Sequence, residues 1–205
     1  MPGVALLRML LAVCVSGAVL GASADEIELR DARVAPTEEG LALSAEFDFD
    51  FNPRLSEVVA NGVPVYFVVE FELTRKRWWW FDEKAVAKRM QLRLSYHPLS
   101  RHYRISTGLL QQNFVKLEEA IAVLRRVRNW VVVERAAPLP EGNYEAMLRM
   151  RLDVTLLPKP FQLSALTSRE LTLESPWRRF IFRPAVPAPS PGAPVEAREA
   201  KEAEK

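Results

Sequence analysis

Three groups of side chains in this sequence have types and spacings that can carry chemistry. Glu46, Asp48 and Asp50 alternate along "SAEFDFDF", and Glu70 and Glu72 repeat the pattern in "VVEFELT". Carboxylates two apart on a strand share a face, where they can hold calcium or work as an acid–base dyad. Calcium loops carry glycine and irregular backbone, which this regular alternation lacks. The stripe is therefore expected to be a solvated face, balanced across the sheet by arginines such as Arg149 and Arg151. His97 and His102 flank the stretch "HPLSRH". Their spacing is not that of a helical ligand pair and no third ligand is suggested nearby, so no metal site is expected. The third group is "RKRWWWFDEK", Arg75 to Lys84, with three tryptophans between a basic triplet and an acidic pair. Arg75, Arg77, Trp78 and Trp80 form the candidate partner-binding set. Indoles beside guanidinium groups suit a protein surface or the interfacial zone of a membrane.

Other chemistries are excluded by what is missing. No G-x-S-x-G elbow occurs, and the glycines are too dispersed to make a phosphate-cradling loop. No catalytic constellation and no cofactor site is expected, so the chain does not read as an enzyme. Lys and Arg total 28 against 26 Asp and Glu, a net charge of +2 that does not suit a nucleic-acid binder.

The N-terminus explains the single cysteine. Arg8 supplies a positive n-region, Met9 to Gly21 is apolar, and Ala22-Ser23-Ala24 makes a cleavage site before Asp25. The apolar run is shorter than the roughly 20 residues needed to span a bilayer, so residues 1–24 read as a secretory signal peptide. The alternative is an uncleaved signal that anchors the chain in the inner membrane. Cleavage after Ala24 removes Cys14, leaving an exported, periplasmic chain with no disulfide or thiolate chemistry. At the other end, residues 184–205, "PAVPAPSPGAPVEAREAKEAEK", offer proline, alanine and charge but no large apolar group after Val195. This composition predicts a disordered tail. One domain is expected over 25–183.

The elements that must position the candidate residues follow from periodicity. "IELRDARV" and "LALSAEFDFDF" predict two strands around a turn at Pro36 to Gly40, with Leu43, Ala45, Phe47, Phe49 and Phe51 on one face. "NPRLSEVVANG" predicts a short helix, with Asn52 as cap, Pro53 at its first position and Gly62 past its end. "PVYFVVEFELT" predicts a strand that runs on into the tryptophans. Its parity puts Trp79 inward and Trp78 and Trp80 on the outer face. "KRMQLRLSYHPLSRHYRISTG" predicts a hairpin turning near His97 to Ser100. Phe114, Leu117, Ile121, Leu124 and Val127 recur at helical spacing, which predicts a longer helix over 114–127 capped by Asn113 and seated on the aromatic outer face. "WVVVER", "YEAMLRMRLDV" and "RELTLES" predict further strands, and "PWRRFIF" an edge. "LPEGNY" looks like the entry to a late immunoglobulin-like strand, where a tyrosine hydroxyl bonds back to the corner. The expected fold is mainly β: an immunoglobulin-like antiparallel sandwich of about eight strands with one short and one longer inserted helix.

The segments "FDFDFNPRL", "GVPVYFVVEFEL", "RWWWFDEK", "LSYHPLSRHYRIS", "LPEGNYEAMLRMRLD", "LPKPFQLSALTSRE" and "SPWRRF" together resemble DUF4390, a proteobacterial exported family of unknown function. The resemblance covers nearly all of Asp25 to Phe182. It brings no catalytic residue. It implies an envelope role coupled to signalling, since members are often encoded beside a membrane-bound sensor kinase of the nitrogen-regulation type.

The functional expectation is a periplasmic binding protein whose partner is a cell-envelope protein, such as the exported domain of a sensor kinase. A lipid- or envelope-glycan-binding module that contacts the membrane surface is the alternative. A hydrolase using Asp48, Asp82 and Glu83 is the least supported reading.

Overall fold

The computed structural model describes residues 26–75, 83–137, 139–140, 142–167 and 171–182. Residues 1–24, expected to be a signal peptide, the stretch 76–82 with Arg77, Trp78, Trp79, Trp80 and Asp82, and residues 184–205, expected to be a disordered tail, lie outside the described residues.

The first two strands, β1 (Glu28–Thr37) and β2 (Gly40–Asp48), form the expected hairpin. Its turn closes at Thr37↔Gly40. Gly40 has φ +142, and a Cβ there would stand 2.0 Å from the Val133 carbonyl oxygen, so only glycine fits the approach. Helix α1 (Pro53–Ala60) follows, and the Asn52 side chain accepts a 2.8 Å hydrogen bond from the Leu55 N–H. Gly62 leaves the helix at φ +79.

Two long strands come next, β3 (Val65–Arg75) and β4 (Glu83–His97), paired from Val65↔Leu94 to Arg75↔Glu83. Arg75 is the last described residue of β3, and the expected continuation into the tryptophans lies outside the described residues. β5 (His102–Thr107) pairs back onto β4 as expected, with His97 opposite His102.

The next segment differs from the expected long helix. A tight turn at Gly108, φ +57, pairs Thr107 with Leu110 and draws residues 110–114 into strand β6 (Leu110–Phe114). Asn113 is therefore no cap; its Oδ1 accepts from Arg104 Nε at 2.9 Å across the hairpin. Helix α2 spans only Leu117–Leu124, as short as α1, and packs against β5, β6 and the following strand β7 (Arg126–Glu134). It buries Ala120 and Leu124 there; the tryptophans it is expected to cover lie outside the described residues. Val127 is buried on β7, opposite Ala45.

β8 (Tyr144–Leu152) alternates as predicted, with Tyr144, Ala146, Leu148, Met150 and Leu152 buried. A 3-10 turn (Val154–Leu156) and a third helix, α3 (Lys159–Thr167), follow. "RELTLES" does not form a ladder strand. Leu171 and Leu173 are buried, and the segment joins the sheet through isolated bridges at Glu174 and the hydrogen bonds Leu152 N–H to Leu173 O and Ser175 N–H to Met150 O. The edge strand is β9 (Arg178–Phe182), from "PWRRFIF".

The described strands make two antiparallel sheets, β1-β2-β7 and β6-β5-β4-β3-β8-β9. Their inner faces share one core, in which Phe49 stacks on Phe67 at 5.6 Å and Phe71 meets the Trp130 ring edge-on at 6.5 Å. Every inward residue of β3 from Val65 to Leu73 is fully buried, as a central strand requires.

Candidate functional site

Of the set Arg75, Arg77, Trp78 and Trp80, Arg75 is the member among the described residues. It ends β3, opposite Glu83 on one side and Tyr144 on the other. β3 is thus paired on both flanks up to its last described residue, and the sequence leads from there into the three tryptophans. The guanidinium lies close over Gly142, where a Cβ would meet Arg75 Nε at 3.2 Å. Beside it the Tyr144 hydroxyl donates to the Pro140 carbonyl at 2.6 Å, the corner bond that the "LPEGNY" stretch predicts. A cleft of about 510 Å³ opens here between β4 and β7, lined by Arg75, Val86, Val132, Leu139, Tyr144 and others. The Lys88 ammonium reaches Glu134 across it at 3.1 Å.

The carboxylate groups are separated, not assembled. Glu46 and Asp48 belong to the three-stranded sheet, where Arg126 holds Glu46 at 3.2 Å and Arg30 holds Asp48 at 2.8 Å, with Arg125 at 3.8 Å. The Arg30 hydrogen bond holds the Asp48 carboxyl below its ordinary range, and the Arg125 charge adds to this. A carboxylate kept ionised in this way is a weak proton acceptor, so a hydrolase built on Asp48 gains no support. Glu70 and Glu72 lie on the other sheet, where Arg149 and Arg151 reach Glu70 as expected, but Glu70 is buried and not part of a solvated face. His97 and His102 face one another across the hairpin, with His102 Nδ1 bonded to the Ser100 carbonyl. Among the described residues no three metal-ligating side chains converge.

The strongest electrostatic cluster centres on Glu70. Its side chain is 4% exposed, yet three guanidinium groups reach it: Arg89 at 2.9 Å, Arg149 at 2.5 Å and Arg151 at 3.6 Å. Register explains the arrangement, because Arg89 on β4 and Arg149 on β8 are the direct partners of Glu70 on β3. Trp177 covers the Arg149 guanidinium at 4.6 Å. Sequence reading set Arg149 and Arg151 against these carboxylates but missed Arg89, Trp177 and the burial of Glu70, which emerge only once the three strands are paired.

Two antiparallel sheets around one core, with the described helices between strands, define a mainly β, two-sheet protein. The chain belongs to the family described as a domain of unknown function (DUF4390), whose model matches residues 24–181. No curated protein and no solved structure matches it.

Proposed function

We propose that this chain is an exported, periplasmic binding protein without catalytic activity. It engages a cell-envelope protein, such as the exported domain of a sensor kinase, through Arg75, Arg77, Trp78 and Trp80. The observation that carries this reading is the position of Arg75. It roots the tryptophan segment at a doubly paired strand end, beside an apolar-lined cleft. A rigid root lowers the ordering cost of presenting aromatic anchors to a partner. The same reading takes the two sheets as an immunoglobulin-like sandwich, a description supported by the Tyr144 corner bond.

The test is chemical crosslinking in cells followed by pull-down and identification of the captured proteins, for wild type and for Trp78→Ala/Trp80→Ala. Loss of an envelope partner with an unchanged melting temperature supports the proposal. Unchanged capture with a lowered melting temperature assigns the indoles to packing instead.

A second reading, a lipid- or glycan-binding module, draws on two leucines. Leu99 and Leu109 stand fully exposed in the β4–β5 and β5–β6 turns, Leu99 next to Arg101. Co-sedimentation with anionic vesicles that weakens as salt rises would favour it.

A further inference from the structure

β4 is covered unequally by its neighbours. β3 pairs with it from Glu83 to Leu94, whereas β5 pairs only with Leu92 to His97. On the β5 side, residues 83–91 have no hydrogen-bonded strand among the described residues, and no other backbone hydrogen bond between described residues reaches them. Natural sheets usually shorten, bulge or cover so long an open edge, because its free N–H and C=O groups template another strand. The register shift between Leu73 and Thr74 leaves Val86 to Gln91 in unbroken register with β3.

Two clefts follow this edge. The first, about 510 Å³, is lined by residues 85–88 of β4 and 132–134 of β7. The second, about 650 Å³, is lined by residues 89–91, by Thr107 and Gly108 where β5 ends, and by Trp130 of β7. β7 is itself an outer strand, paired with β2 alone. The charged side chains lining the two clefts are Arg75, Lys88, Arg89 and Arg93 against a single Glu134. Arg89 remains 76% exposed despite its contact with Glu70.

We propose that the open edge of β4 receives an extended, acidic segment of a partner protein, added as a strand beside residues 85–91. Backbone pairing supplies the hold, as in other strand-addition complexes, and the surrounding cations select an acidic sequence. This goes beyond the binding reading above, since it names a different surface, the β4 edge, and the chemistry of its occupant.

The test uses the full chain and a labelled probe peptide of about nine residues alternating glutamate and valine, long enough to span the edge. A lysine–valine peptide of the same length is the control. Hydrogen exchange is followed residue by residue. With the acidic probe at saturation, amide exchange within 84–91 is expected to slow by at least about tenfold, and with the lysine probe to stay unchanged. Probe protection is read at 84–91 and the cellular partner by crosslinking, so the two proposals fail separately. Arg93→Glu is expected to weaken probe binding about tenfold, a loss of about 1.4 kcal/mol. Binding without protection in 84–91, or equal protection by both probes, overturns the proposal. So does protection that grows with the chain's own concentration in the absence of probe, which would assign the edge to a second copy.

Discussion

Glu70 carries a charge into a nearly dry position because the three strands that cross there each supply its surroundings. β3 contributes the carboxylate, β4 Arg89, and β8 Arg149 and Arg151. Removing a buried charge from such a set leaves its partners desolvated and unpaired, which costs more than the pair contributes when intact. Glu70→Ala is expected to destabilise the fold by about 3 kcal/mol, toward the low end for buried pairs because the arginines are partly exposed. Urea unfolding of the two proteins checks this. Asp48 presents the solvated counterpart. Its folded-state pKa is depressed, chiefly by the Arg30 hydrogen bond. Its contribution to stability is therefore present above the ordinary aspartate value of about 3.9 and is lost as pH falls through the lower folded-state pKa. The pair is exposed, so the effect is best read directly. In Arg30→Ala the Asp48 carboxyl is expected to titrate at higher pH than in wild type, measured by NMR of the side-chain carbon.

At the scale of elements, α1 is bounded by signals that are local and complete. Asn52 caps it, Pro53 starts it and Gly62 follows it. Asn52→Ala removes the acceptor for the Leu55 N–H and is expected to lower stability by about 1 kcal/mol, read as a shift in the urea midpoint without a change in slope. Elements of this kind were legible in the sequence, as were β2, β3 and β8, because each shows clean period-two alternation against a single core. α2 was legible only in part. The apolar spacing of Phe114 and Val127 fits a helix as well as it fits the flanking strands; hairpin pairing at Gly108 decided for strand at Phe114, and pairing with β2 decided for strand at Val127. α3 carries little signal, since Pro160 and a diffuse apolar pattern resemble a loop. Pro160 sits in the first turn, where its missing N–H costs nothing, and Gln162 Nε2 donates to the Thr155 and Leu157 carbonyls at 2.8 and 2.7 Å. The open edge of β4 was not legible at all, because the unequal lengths of two neighbouring strands are a property of their pairing.

At the scale of the molecule, the described core is bounded by Ile27 and Phe182, and the family match ends at residue 181. A chain ending at residue 183 is therefore expected to melt within about a degree of the full chain, since every contact between described core residues is kept. Scanning calorimetry checks it, and a drop of several degrees would place stabilising contacts in the tail. One bond within this core constrains the order of events during synthesis. Ile27 is fully buried and its N–H is bonded to the Glu174 carbonyl, so the first buried side chain is locked by almost the last segment. Contacts of such long sequence separation form late and slowly. A nascent polypeptide still lacking residue 174 holds its opening strand without that latch until nearly the whole domain has been made.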